Sequence, residues 1–425
     1  MVFRCIAPLF LISFMSFLCA AEPALRWCWS GGVTDQAGTV VAAIDGAESA
    51  TLELLPKDSA LPVASVGPLG VDEQGVLRFA ITGLDAASSY RYRIVLGDQQ
   101  DLGGGTFRTM PKSGSPADFT IALGSCADQP DNVVFDAIRH QDPLFFLHMG
   151  DLHYEDIKVN DPALFRKEYE RALTSPTQGA LYRSQAIVYM WDDHDYGPNN
   201  SGHNSPSREA AHRAYRQMVP HHTLQLAGDD TPIAQAFTVG RVRFIVTDLR
   251  SDKHREKGSQ LGSRQREWFL QELEKSAKNH GLIVWVSSIS WNGTGSSKDR
   301  WEGTPEERRL IADYVAKHRI PLCILSGDAH MVGIDDGSNS DFATAGGAPI
   351  PIFQAAALTR GGSYKAGPYS HGSHPGSEQF GVMEVRDNGQ EINVRWSARD
   401  GSDGIGDGVV EYEGNPITYT FTVRR

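Results

Sequence analysis

The sequence predicts a mixed fold of two parts, an all-β module followed by an α/β domain. Three observations predict it. Residues 25–110 read as short strands separated by turns. Lys112–Ala117 is a Pro/Gly/Ser linker. Beyond it, apolar strands alternate with helical stretches, the pattern of a largely parallel sheet with crossover helices. A chain of 425 residues is long for one core and suits about two domains. The expected division is a leader at 1–21, the β module at 22–111 and the α/β domain at 112–425.

Met1–Ala21 reads as a secretory signal. Arg4 is its one charge, Cys5–Leu18 is almost continuously apolar, and Cys19-Ala20-Ala21 offers a small-residue cleavage site. The run is short for a bilayer and holds Pro8, and no Leu-small-small precedes Cys19 as a lipid anchor would need. No later stretch is apolar enough to span a membrane. The expectation is a periplasmic or secreted monomer with no anchor after cleavage. Cys28, Cys126 and Cys323 would remain, an odd number, so at least one should be free. The formal net charge of -12 argues against specific binding of nucleic acid or of an anionic membrane. A phosphate ligand would need metals or a few Arg.

In the first part, Val40–Ile44 follows a Gly-Thr turn and Ala50–Leu55 alternates with polar residues. Phe79–Ile94 gives two strands around a polar turn, ending in Tyr90-x-Tyr92, and Gly105-Thr106-Phe107-Arg108-Thr109-Met110-Pro111 closes the module. This pattern resembles a fibronectin type III sandwich, in which a buried Tyr hydroxyl reaches a backbone group at a corner.

In the second part, Phe119–Leu123 ends in Gly124-Ser125-Cys126, and a helix follows near Asn132–His140. Leu144–Leu147 ends in Gly150-Asp151, and Pro162–Leu173 is helical. Ala186–Met190 ends in Trp191-Asp192-Asp193-His194-Asp195, before a helix from Ser207 to Met218. Phe237–Thr247 is a hairpin about Gly240-Arg241, leading to Asp248 and Arg250. A helix at Gln265–Lys278 takes Ser263 as its cap, and one at Pro305–Lys317 takes Thr304. Leu282–Val286 and Pro321–Leu325 are strands, the second ending in Ser326-Gly327-Asp328-Ala329-His330. Asp387-Asn388-Gly389 marks a closing hairpin.

Four strands therefore end in Asp, His, Tyr or Cys. Strand C-termini of an α/β sheet gather at one edge, and all four residue types bind metals. Gly150 lets the chain turn so that Asp151 and Tyr154 can face one centre. Phenolate suits a hard cation such as ferric iron, and two metals sharing a carboxylate suit in-line phosphoryl displacement.

At this point a family resemblance enters. Gly150-Asp151-x-x-Tyr154 resembles a purple acid phosphatase motif, and Gly327-Asp328-x-His330 resembles an ending of calcineurin-like metallophosphoesterases. Combined with Gly124-Ser125-Cys126 and Trp191–Asp195, they resemble the PhoD-like alkaline phosphatase D family over nearly the whole mature chain. The resemblance implies a β-sandwich before a four-layer α/β/β/α domain. It implies ferric iron and calcium, and monoesterase or diesterase activity by a metal-activated hydroxide. It gives Cys126 and Tyr154 to iron, Asp151 to both metals and Asp193 to the second cation. Asp328 and His330 complete the sphere, and Asp192 is a ligand or orients one. His194 is either a ligand or, preferred here, the acid that protonates the leaving oxygen. Arg250 can grip phosphate with its planar fork or pair with Asp248 or Asp252. Asn199 and Asn200 offer oxygens to calcium or cap a loop.

The remaining donors read as structural. His148 has no assigned role, His221-His222 reads as surface, Cys323 as core, and the loop with Gly361-Gly362 and His371–His374 as a flexible lid or rim. Substrates would be small phosphate esters, with phospholipid- and nucleotide-derived esters included. Two rival readings remain, a phospholipase-like diesterase and a catalytically silent exported binding module. A glycosidase built on Asp192 and Asp193 is disfavoured because adjacent strand-end residues point apart.

Overall fold

The computed structural model describes residues 22–97, 100–295, 297 and 299–424. The signal reading at 1–21 lies outside them. No helix among the described residues is long and apolar enough to cross a membrane.

The N-terminal segment contributes seven strands: β1 Ala24–Gly31, β2 Ala37–Asp45, β3 Ser49–Pro56, β4 Ala64–Gly70, β5 Val76–Thr82, β6 Ser89–Leu96 and β7 Gln100–Arg108. They form two sheets, one ordered β4-β3-β6-β7 and one containing β1-β2-β5. Tyr90 is buried and its hydroxyl accepts from the Asp85 amide at 3.1 Å, tying the β5–β6 corner. The second sheet does not stop at the linker. The end of β1 pairs in parallel with a strand of the α/β part, Ser30 opposite Ala186 and Gly31 opposite Ile187.

That larger sheet holds β8 Phe119–Gly124, β9 Phe145–Met149 and β10 Ala186–Met190, parallel neighbours with every residue of β9 and β10 buried. A second sheet holds β11 Gln235–Val239, β12 Val242–Val246, β13 Leu282–Ser287, β14 Leu322–Ser326, β15 Met331–Asp335, β16 Ile352–Ala355 and β17 Ser373–Pro375, in the order β11-β12-β13-β14-β16-β15-β17. The closing hairpin, β18 Gln379–Asp387 and β19 Glu391–Asp400, returns to the first sheet beside β8.

Alternate residues of each strand face opposite ways, and the core is partitioned accordingly. Leu147, Val188, Val284 and Leu325 share one buried cluster between the two sheets. Phe146, Ile187 and Tyr189 join a second cluster with helices α1 Val133–His140, α2 Pro162–Leu173, α3 Gln178–Ser184 and, beyond α4 Asp193–Tyr196, α5 Arg208–Met218. Ile245, Trp285 and Ile324 join a third with α6 Gly262–Asn279 and α7 Pro305–His318. The helix α6 starts one residue before Ser263, at Gly262, so Ser263 lies inside it and the expected cap is corrected. Sequence patterning gave no element at α3, α4, β15 or β16. These pieces are too short for a helical or alternating period to emerge.

His222 is buried and stacked on Phe237 with ring centroids 4.1 Å apart, which corrects its surface reading. His148 is buried between Phe146 and Tyr189, and Cys323 is buried on β14. Cys28, Cys126 and Cys323 are free thiols. Burial pulls the His148 imidazole down to about 3. Its folded pKa is therefore depressed, so its contribution is present above the unfolded value and lost as pH falls below about 6.5. His148→Phe should flatten the loss of stability between pH 6.5 and 4, a window in which one such group costs up to about 1.4 kcal/mol per pH unit. Urea unfolding at several pH values measures this. An unchanged acid slope would reject it.

Candidate metal centre

The strands of both sheets end at one place, and their tips carry the polar residues. Gly327 follows β14 where a Cβ would lie 2.7 Å from the Met149 carbonyl and 2.9 Å from both Ser125 Oγ and the Ser288 carbonyl. Only a glycine lets the tips of β8, β9, β13 and β14 approach so closely. Gly150 has φ of 97°, and a Cβ there would meet Asp192 at 2.5 Å. Backbone bonds lock the tips: Cys126 donates to the Gly150 carbonyl at 3.1 Å, and Ala127 to the Asp151 carbonyl at 2.7 Å.

Cys126, Asp151, Asp328 and His330 have φ of 66°, 56°, 63° and 54°. These values are uncommon for side chains with a Cβ, and such strain collects at ligand sites. It turns four donors inward. Asp151 Oδ2 accepts from the Tyr154 hydroxyl at 3.0 Å and lies 3.5 Å from Cys126 Sγ. The Tyr154 hydroxyl is 3.2 Å from His330 Nε2. Two donor groups result, Cys126–Asp151–His330 and Asp151–Asp193–His194, each with its ligand atoms within 4.8 Å. Asp151 belongs to both.

The electrostatics suit cations. Burial, then Asp193, Asp192, Asp195 and Asp328, pushes the Asp151 carboxyl well above its usual range. Burial, then the negative charge of Asp151, does the same to the Cys126 thiol and the Tyr154 phenol. Protein alone disfavours ionising these groups, and a bound metal ion reverses that preference. Asp192 Oδ2 and Asp193 Oδ1 are buried without a hydrogen-bond partner, a cost that a cation would remove. The donor set therefore fits two metal ions.

Asp195 is a shaping residue. Its carboxylate accepts from the amides of Asp192 and Leu152, at 2.6 and 2.9 Å, and from the Tyr189 hydroxyl at 2.6 Å. It thereby joins the Trp191–Asp195 turn to the chain just past Asp151.

Arg250 calls for a correction. Its side chain is fully buried, and its guanidinium serves carboxylates instead of reaching the cavity. Nε donates to Asp192 Oδ1 at 2.6 Å and NH1 to Asp299 Oδ1 at 2.7 Å, while NH2 is 3.5 Å from Asp193 Oδ1. The guanidinium pairs with Asp192, Asp193 and Asp299, and not with the expected Asp248 or Asp252. Asp192 is engaged by Arg250 and by Ser288 Oγ at 2.6 Å, and it enters neither donor group. Arg250 and Ser288 hold the Asp192 carboxyl, which counts against a glycosidase built on it.

A cavity of about 720 Å³ opens over the centre, walled by Tyr154, Asp193, His194, Asp328 and His330. His194 Nδ1 lies 2.7 Å from Asp156 Oδ1. A carboxylate only accepts, so Nδ1 carries the shared proton and Nε2 is left for a ligand. Asn199 and Asn200 line the cavity, and the Asn200 amide donates to Asp193 Oδ2 at 2.5 Å. The loop after β16 supplies Arg360, whose guanidinium lies 4.6 Å from the Tyr154 ring centre, and Lys365, which donates to the Asp328 carbonyl at 2.9 Å. His374 lies on β17, opposite Val332 of β15, and His371 packs on Tyr419, so the rim loop's histidines stand outside both donor groups.

Sequence reasoning missed Asp156, Asp299, Arg360 and Lys365. Only Asp156 left a signal, as a carboxylate two residues beyond Tyr154.

A family model described as PhoD-like phosphatase matches residues 121–381. No curated protein matches the chain. Among solved structures, one titled "Structure of PhoD" is 16% identical with a TM-score of 0.74, covering 94% of this chain and 90% of that one. A purple acid phosphatase from yellow lupin (Lupinus luteus) is 13% identical with a TM-score of 0.64, covering 95% and 74%. Both likenesses concern the fold, mixed α/β with several sheets.

Proposed function

This chain belongs to the PhoD-like phosphatase family, and from that membership we propose that it is an exported, metal-dependent hydrolase of phosphate esters. The observation that carries the proposal is the place of Asp151 in two donor groups at once. Cys126, Tyr154 and His330 with Asp151 would hold ferric iron, since thiolate, phenolate and imidazole suit a transition metal. Asp193 and Asp328, with Asp151, would hold calcium, which takes oxygen ligands. In this reading residues 22–111 are a fibronectin type III-like module and residues 112–425 a four-layer α/β/β/α domain.

When bound, the metal pair supplies an acidic water near neutral pH and positive charge for the phosphoryl oxygens. The chain's own residues do the rest. Arg360 and Lys365 add positive charge at the cavity wall, which lets a chain of net charge -12 accept an anion. In its doubly protonated form, His194 gives the Nε2 proton to the oxygen that leaves phosphorus as the P–O bond breaks and keeps the Nδ1 proton. Asp156 holds that Nδ1–H and so orients the ring and stabilises its charged form.

Metal analysis, an absorption spectrum and chelator-sensitive release of p-nitrophenol from mono- and bis-p-nitrophenyl phosphate test the proposal. A visible charge-transfer band and turnover that chelator abolishes are expected. Purified protein with neither bound metal nor such turnover would reject it. Asp156→Asn should keep the metals and lower kcat by about 10- to 100-fold. A loss of metal in that variant would instead make His194 a ligand.

A further inference from the structure

We propose that the preferred substrate is a phosphodiester whose retained ester group carries a flat ring, held by Tyr364 and Tyr412 in a second cavity beside the metal centre. The proposal rests on the phosphatase reading and adds the substrate class to it.

A cavity of about 320 Å³ adjoins the one over the metal centre, and Tyr364 and Lys365 line both. The two spaces also adjoin along the chain, since His330 lines the first and the next residue, Met331, lines the second. Lys365 fixes the junction through its bonds to the Asp328 carbonyl and to Asp328 Oδ1, at 2.9 and 3.1 Å. A phosphoryl group at the metal centre therefore has the second space as a neighbour, across Tyr364 and Lys365.

The two cavities differ in chemistry. Asp156, Asp193, Asp299 and Asp328 line the first, whereas among the described residues Lys365 is the one charged side chain lining the second. The second is walled by the aromatic rings of Tyr364, Tyr369 and Tyr412. Tyr364 is 69% exposed and Tyr412 39% exposed, large apolar faces of the kind that is normally covered. Tyr412 is held by close packing. A Cβ on Gly372 would fall 2.6 Å from its ring, so the ring lies directly against that backbone. A fixed aromatic face at Tyr412, an exposed one at Tyr364 and the Lys365 cation beside them suit a planar ring attached to an anion.

The group held there stays on phosphorus. His194, held by Asp156, protonates the departing oxygen, and the second cavity is lined by neither of them. A phosphomonoester leaves that cavity unfilled.

The test keeps the leaving group constant. p-Nitrophenyl phenyl phosphate and p-nitrophenyl methyl phosphate release the same phenolate and differ only in the retained group. After correction for the uncatalysed rates, kcat/KM should favour the phenyl ester by about tenfold or more. Tyr412→Ala, which alters only the second cavity, should collapse that ratio, Tyr364→Ala should do the same, and Tyr412→Phe should preserve it. Metal content and melting temperature confirm that each variant is folded. p-Nitrophenyl thymidine 5′-phosphate separates the two sources of a ring. A larger loss with this ester in Tyr412→Ala indicates a nucleobase, and a larger loss with the phenyl ester indicates a simple aryl group. A ratio near one in the parent enzyme, or one that survives Tyr412→Ala, overturns the proposal. No turnover of either diester also overturns the proposal if p-nitrophenyl phosphate is still hydrolysed, whereas no turnover of the diesters or of p-nitrophenyl phosphate counts against the phosphatase reading itself.

Discussion

Asp151→Ala is expected to remove bound metal and turnover together, lowering kcat/KM by at least about 10⁴-fold. The side chain belongs to both donor groups, and no neighbour can replace it. Tyr154 and Cys126 approach the centre through Asp151 Oδ2, and the His194 amide donates to Oδ1 at 3.3 Å. One truncation therefore opens both halves of the site. The stability effect should have the opposite sign in chelated protein. The folded pKa of Asp151 is raised, chiefly by burial and then by neighbouring carboxylates. Its contribution is favourable below the unfolded value near 3.8 and is lost as pH rises through the folded value. At neutral pH without metal, Asp151→Asn should be at least as stable as the parent protein. Metal analysis, turnover and urea unfolding with and without chelator make the measurement. A variant that lost its metals and kept its biological effect would point to a binding module instead.

The donors that could be read in the sequence share one property: each lies within a few residues of a strand end. Strand ends can be located from apolar runs, and the topology of α/β sheets places them at one edge. Cys126, Asp151, Asp193 and His330 meet because β8, β9, β10 and β14 end there. The partners that orient those donors are set by packing, which sequence spacing does not encode. Asp156 reaches His194 across 38 residues, and Asp299 reaches Arg250 across 49, each from a loop without a period. The pairing of β1 with β10 escaped notice for a related reason. The linker at 112–117 looks like a boundary, yet two edge strands need only matching backbone groups to join. Gly327 and Gly150 were visible as letters, and only the distances around them show why a side chain would not fit.

Arg250→Ala should destabilise the protein by about 3–5 kcal/mol, the cost of removing one partner from a buried ionic cluster. The guanidinium is wholly buried among Asp192, Asp193 and Asp299. Burial pushes the Asp193 and Asp299 carboxyls up, but Arg250, helped by Lys253 at Asp299, more than offsets this and holds both below the usual range. At Asp192 burial wins over Arg250 and the carboxyl is raised. Without Arg250 all three lose their main counter-charge, and Lys253 bonds directly only to Asp299. Arg250→Lys keeps the charge but cannot span Asp192 and Asp299 with a planar fork, so it should fall between the two. Urea unfolding of chelated protein isolates this effect from metal binding. A phosphate-gripping Arg250 would give a different result, with KM raised and stability nearly unchanged. The positioning role has its own signature. Asp193 lies next to Arg250 and among the second group of metal donors, so Arg250→Lys should weaken metal retention during dialysis against chelator. Loss of Arg250 would then reach the reaction through the carboxylates it holds in place.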